Sequence, residues 1–234
     1  MKKSLLLTLL ACCNILLMHA EASQNIGVQA GFAQSIMRLN APNAGFEKTL
    51  NPTNYDGFKV GIVYDATLIK GFGYTIALNY TFGENHTDWE KKSGTQPGDY
   101  PKSRTRQLYH QLELPVDWQY KFQIAQSTWF ILYTGPTLQY GVSFNKNTQQ
   151  QTVPNGEITT TQYDRYKDFK HLNVTWGIGA GLQFDRYFLR GGYDFGLINP
   201  YKADKFIVSD DYQPYTRGRL DQWQIKLGAY LWKF

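Results

Sequence analysis

Residues 72–82 read FGYTIALNYTF. Phe72, Tyr74, Ile76, Leu78, Tyr80 and Phe82 occupy every second position, with Gly73, Thr75, Ala77, Asn79 and Thr81 between them. A β-strand turns successive side chains to opposite faces, so this segment has one bulky apolar face and one small or polar face. Which of the two faces the interior decides the fold.

The same alternation returns along the chain at 26–33, 58–66, 108–120, 130–144, 172–184, 187–197 and about 220–234, which with 72–82 makes eight segments. Short links are expected at 69–71, 121–127 and 185–186, and long polar ones at about 35–56, 84–106, 145–168 and 198–218. Long and short connections alternate strictly. An up-and-down sheet then carries every long loop at one end, and the short turns with both chain ends at the other.

A soluble sandwich or ligand-binding barrel would also alternate, with its apolar face inward. Eight strands cannot enclose this many bulky rows. Turning the bulk toward lipid and the Gly, Thr, Gln, Asn and charged set toward a filled lumen resolves the conflict. Mean hydropathy is negative, against a helical membrane protein but not against a barrel with a polar lumen and loops. The predicted fold is all-β, an eight-stranded antiparallel up-and-down transmembrane β-barrel.

The two ends agree. MKKSLLLTLLACCNILLMHAEAS opens with Lys2 and Lys3, continues through an apolar run and reaches Ala20-Glu21-Ala22, an A-x-A cleavage site. That reads as a secretory signal peptide over 1–22, leaving 23–234 as the barrel domain. Leu9-Leu10-Ala11-Cys12 reads alternatively as a lipobox, although the apolar stretch before Cys12 is short. Both cysteines, Cys12 and Cys13, lie in this segment, so the mature chain would rely on neither disulfides nor a Cys-based metal site. Removing 1–22 takes the formal charge from +5 to about +4, which says little about nucleic acid.

At the other end, Tyr230, Trp232 and Phe234 alternate as an expected outward row at the periplasmic rim. They resemble the C-terminal signal by which the barrel-assembly machinery recognises its clients. Trp223, Ile225 and Leu227 are odd-numbered, so one register cannot point both sets outward. A bulge near Gly228-Ala229, or a change of outward face at the rim, would reconcile them.

Several stretches resemble the PorT-like outer-membrane β-barrel family. Gln111-Leu112-Glu113-Leu114-Pro115-Val116 is similar to its L-E-[IL]-P strand, and Tyr133-Thr134-Gly135-Pro136 to its Y-x-G-P segment. Gly177-Ile178-Gly179-Ala180-Gly181 and Tyr193-Asp194-Phe195-Gly196-Leu197-Ile198-Asn199 resemble its G-x-G-x-G and R-Y-x-x-G-L-x-N patterns, with Gly192 where the family commonly has Arg. The resemblance implies a fold and an outer-membrane location. It does not carry over the secretion role of one member.

Lys59, Asp65, Glu113, Asp117, Arg190, Asp194 and Lys226 fall on inward faces and are expected to pair and plug the lumen, with a narrow ion path as the alternative. Surface-loop contacts are expected from Trp89, Lys91, Lys92, Tyr100, Arg104, Arg106, Tyr212, Tyr215 and Arg217, where aromatics beside cations suit carbohydrate, lipopolysaccharide phosphate or protein. A lipid-modifying enzyme would want a His beside a Ser and a carboxylate. His86, His110 and His171 have no Ser that the sequence forces nearby. The reading is a non-enzymatic outer-membrane protein, structural or adhesive, without cofactor, surrounded by membrane lipid and lipopolysaccharide. A small channel or secretion accessory is the alternative.

Overall fold

A computed structural model describes residues 23–39, 54–69, 71–86, 89–91, 102–152, 156–167, 169–200, 202 and 218–234. Eight long strands form the wall: β1 (Ser23–Leu39), β2 (Asn54–Ile69), β3 (Phe72–His86), β5 (Lys102–Ala125), β6 (Thr128–Gln151), β8 (Leu172–Phe184), β9 (Tyr187–Gly196) and β10 (Gly218–Lys233). The short strands β4 (Glu90–Lys91) and β7 (Ile158–Asp164) flank β5 and β6, and a 3-10 turn comes next at Arg165–Lys167. The order β5-β3-β2-β1-β10-β9-β8-β6 closes on itself through β5–β6, every pair antiparallel.

Burial is inverted relative to a soluble protein. Phe58 is 60% exposed and Leu227 63%, while Lys59 and Glu113 are 1% exposed and Asp65 is sealed. Water would penalise that arrangement twice, whereas lipid accepts the outer face and a closed ring satisfies the backbone. The apolar row from Phe72 to Phe82 in β3 rises by roughly 33 Å, or about 25 Å along the membrane normal at a strand tilt near 40°. That matches the apolar band of small membrane barrels.

Tight turns gather at one end. Gly71 takes a φ of +86°, and a Cβ there would meet the Lys121 carbonyl at 2.3 Å, so the β2–β3 turn can press against β5 only with glycine. Asp185 turns β8 into β9 at φ 51° and donates its backbone N–H to the Ser127 carbonyl at 2.9 Å. At the same end Gln24 and Phe234 exchange backbone hydrogen bonds of 2.8 and 3.3 Å.

Four expectations need correction. The link placed at 121–127 is mostly strand: β5 continues to Ala125, β6 begins at Thr128, and only Gln126-Ser127 turn. Of the two reconciliations for the last strand, the change of outward face at the rim holds and the bulge near Gly228-Ala229 does not: the irregularity lies at Leu231, because Gly27 pairs with Tyr230 while Ile26 pairs with Trp232. Tyr230 therefore points into the lumen at 5% exposure, and only Trp232 and Phe234 of the aromatic trio face outward. A second irregularity between His110 and Gln111 skips Val142 and turns Phe144 inward, against its expected outward position.

The strands also outrun the expected loop boundaries. β5 and β6 pair from Lys102 to Arg106 against Asn147 to Gln151, and β7 adds to β6 over Asn145 to Gln151. With β4 these make a polar ribbon continuing beyond the apolar belt. Residues 1–22, Lys92, Tyr100, Tyr212, Tyr215 and Arg217 lie outside the described residues.

Candidate functional site

The inward face carries two layers of ionic hydrogen bonds. Nearer the short turns, Asp65 accepts from Lys121 Nζ at 2.6 Å, Gln119 Nε2 at 2.8 Å, Arg190 Nη2 at 2.9 Å and the Tyr230 hydroxyl at 2.9 Å. Arg190 also donates to Thr75 Oγ1 at 3.0 Å and lies over the Tyr133 and Phe188 rings at 5.6 and 5.4 Å. One carboxylate thus serves two buried cations drawn from β5 and β9.

In the layer toward the ribbon, Lys59 pairs with Glu113 and donates to Gln222 Oε1 at 3.0 Å and Gln224 Oε1 at 2.7 Å. Glu113 accepts further from Thr81 Oγ1 at 2.8 Å and Gln111 Nε2 at 3.1 Å. Asp194 accepts from Gln224 Nε2 at 2.9 Å, linking this layer to β9. Asp117 and Lys226 are buried in the lumen but form no direct ion pair among the described residues. The buried luminal charges Lys59, Lys121, Arg190 and Lys226 are matched in number by Asp65, Glu113, Asp117 and Asp194.

Sequence reasoning named every member of this set except Lys121. It ended β5 at Tyr120, although the alternation runs on as Phe122 and Ile124 outward with Lys121 inward. It also missed Asp221, which has the parity of the outward row yet is 0% exposed.

Above the ionic layers Met37, Tyr55, Tyr109, Phe144 and Phe169 form a buried aromatic cap, with Tyr166 and Leu220 packed against it. Tyr55 meets Tyr109 and Phe144 edge-on at 5.5 and 5.1 Å between ring centroids. Glycines seat these rings: a Cβ on Gly83 would fall 1.9 Å from Tyr109 Cε1, and one on Gly141 would fall 1.5 Å from the Tyr166 hydroxyl. The space left beneath the cap is about 50 Å³, whereas the opposite mouth opens into a cavity of about 400 Å³ bordered by Lys121, Trp129, Arg186 and Tyr230. The lumen is therefore a cup, closed toward the ribbon.

The ribbon bears its own groove of about 410 Å³, lined by Glu84, His86, Trp89, Arg104, Arg106 and Gln149 among others. Arg104 stands 5.2 Å over the Trp89 ring and donates to Gln149. Arg106 grips Glu84 through two bonds of 2.7 and 2.9 Å. Those bonds, then the Arg106 charge, hold the Glu84 carboxyl below the usual carboxylate range despite the opposing effect of partial desolvation. The pair is thus present at neutral pH and is lost only as pH falls through that lowered value. Lys91, in β4, is in register with Lys102.

Two of the histidines are engaged elsewhere. His110 Nδ1 lies 2.6 Å from the Tyr80 hydroxyl on the outer wall, its ring stacked on that tyrosine. His171 stacks on Tyr166 at 4.1 Å and bonds the Gly141 carbonyl at 2.8 Å. His86, on the exposed end of β3, borders the ribbon groove.

Comparison with known proteins gives the same architecture a family. The model of the outer membrane protein beta-barrel domain matches residues 20–201. Among solved structures, the chain is similar to neisserial surface protein A at 13% identity and a TM-score of 0.39, covering 89% of this chain and 97% of that one. Ail, the attachment invasion locus protein of Yersinia pestis, in complex with the heparin analogue sucrose octasulfate, matches at 12% identity and a TM-score of 0.36, covering 92% and 99%. The N-terminal β-barrel domain of Pseudomonas aeruginosa OprF matches at 13% and 0.27, covering 88% and 98%. No curated protein matches this chain. On the family match, which spans most of the chain, the protein belongs to the outer membrane protein beta-barrel domain family and resides in the outer membrane.

Proposed function

We propose that this barrel is a non-enzymatic membrane anchor that presents the β4–β7 ribbon as a binding surface outside the cell, with anionic carbohydrate as the favoured ligand class. The observation that carries this is the contrast between the two ends of β5 and β6. Within the belt Glu113 and Lys121 are taken up by luminal ion pairs, while beyond it Arg104 and Arg106 line an open groove with Trp89. An aromatic face beside guanidinium groups suits a sugar ring bearing sulfate or carboxylate.

The test is binding of heparin-type sulfated polysaccharide, with neutral dextran as control, to the detergent-purified protein. Trp89→Ala and Arg104→Gln should each weaken sulfated-polysaccharide binding about tenfold, the order expected from losing one buried-contact anchor. Equal retention of both polysaccharides, or unchanged binding by both variants, would end the carbohydrate reading.

The same reading takes 1–22 as the export signal, lipid and lipopolysaccharide as the surroundings of the belt, and Trp232 and Phe234 as the pair offered to the assembly machinery. Within its family it places the chain on the PorT-like branch, from Leu112-Glu113-Leu114-Pro115 and the glycine-rich β8. A channel is the second reading, favoured by Asp117 and Lys226, which share the lumen without direct pairing. In planar bilayers the protein should show no discrete conductance steps, because the cap and both ionic layers obstruct one path. Regular steps would move the assignment to a channel.

A further inference from the structure

We propose that Arg38 and Arg219 form a lateral site for the phosphate group of an outer-leaflet lipid. The proposal rests on the outer-membrane placement and is independent of what the ribbon binds.

Arg38 in β1 and Arg219 in β10 stand directly opposite each other in the β1–β10 register, on the outer face of the wall. Like charges opposed across a strand pair repel, so an anion must lie between them. Asp221 supplies one. Its carboxylate is 0% exposed, accepts from Arg38 Nε at 2.8 Å, the Tyr193 hydroxyl at 2.9 Å and the Gly196 N–H at 2.9 Å, and forms an ion pair with Arg219 Nε at 3.1 Å. Among the described residues, one carboxylate for two guanidinium groups leaves one positive charge unmatched.

The geometry exposes that surplus. Both arginines are held by Nε, and Arg38 uses Nη2 on the Tyr193 hydroxyl at 3.3 Å. Arg38 Nη1 and both terminal nitrogens of Arg219 carry no partner among the described residues, and the two side chains are 52% and 49% exposed. Asp221 thus orients two guanidinium groups while its own charge stays hidden. A phosphate offers the oxygen spacing that guanidinium donors match, and a compact ammonium does not reproduce that match.

The height on the wall names the source. Trp223, Phe32, Phe58 and Phe82 form a row of rings around the outside, with successive centroids 5.5, 6.1 and 5.8 Å apart. Such a girdle marks where hydrocarbon gives way to headgroups. Asp221 lies two residues beyond Trp223 along β10, and on the adjacent β9 side the exposed Phe195 and Leu197 flank Gly196. An acyl chain against those apolar residues would carry its phosphate to the arginines.

The test is native mass spectrometry of the full mature protein in detergent, titrated with diphosphorylated lipid A, the same lipid dephosphorylated, or inorganic phosphate. The protein should hold the diphosphorylated lipid at least tenfold more tightly than the dephosphorylated one. Arg38→Gln with Arg219→Gln should abolish that preference, heat-dependent gel mobility confirming a folded barrel. Asp221→Asn, which keeps both cations, should strengthen the preference. A preference that survives the double substitution, or weakens in Asp221→Asn, overturns the site. Displacement of the lipid by millimolar inorganic phosphate would assign it to free phosphate instead.

Discussion

Asp65→Asn is expected to lower the stability of the barrel by about 3–5 kcal/mol, the range for removing one partner of a buried ionic cluster. Asp65 is fully buried, and Lys121 and Arg190 both point their charges at it. Asparagine keeps the volume and an acceptor oxygen but leaves two cations facing one neutral amide. Urea unfolding in detergent or lipid vesicles measures the loss. Adding Lys121→Met should recover much of it, because one cation then leaves with the carboxylate and the luminal charges match again. If Asp65→Asn alone proved neutral, water and ions would be screening the lumen, and the plugged-barrel description would fail together with the expectation of no conductance.

Gly83→Val is expected to cost about 3 kcal/mol, at the upper end for overpacking. A Cβ at Gly83 would lie 1.9 Å from Tyr109 Cε1 and 2.6 Å from the Asp56 carbonyl oxygen. Tyr109 cannot simply swing away, since Tyr55 and Phe144 pack on it at 5.5 and 6.4 Å. Gly83→Val with Tyr109→Ala should be markedly less destabilised than the sum of the two single changes, because the clash and the lost ring share one space. Additive single and double costs would show that the glycine is there for the backbone and not to seat the ring. Exchange of luminal amides should quicken in either single variant, because the cap is what separates the ionic layers from the ribbon side.

Legibility in sequence depends on contrast between the two faces of a strand. Inside the belt lipid and lumen demand opposite chemistries, so Phe58 beside Lys59, or Leu112 beside Glu113, declares its side at once. Beyond the belt both faces meet water. Residues 145–151 (NKNTQQQ) and 158–164 (ITTTQYD) show little such contrast and read as loop, although backbone pairing makes them strand. Single-residue irregularities are hidden for a related reason. Nothing about Val142 or Leu231 marks it as extra, yet each reverses the facing of its neighbours, sending Phe144 into the cap and leaving Tyr230 on Asp65. Asp221 is hard to read because its outward parity suggests exposure and the groups that cover it come mostly from other strands: Arg38 lies 183 positions away and Tyr193 lies 28.

The β1–β10 seam has a consequence for timing. Asn25 sits against Lys233, and Gln24 against Phe234, so the wall closes only through residues separated by nearly the whole chain. Until β10 is made, β1 and β9 each present an edge of unpaired amides, and in hydrocarbon each such group costs several kcal/mol. Lipid therefore penalises every partial ring. A nascent chain gains nothing by entering strand by strand, and a copy truncated before Gly218 has no low-energy place in the bilayer. Synthesis must finish first, and insertion and closure then become a single event.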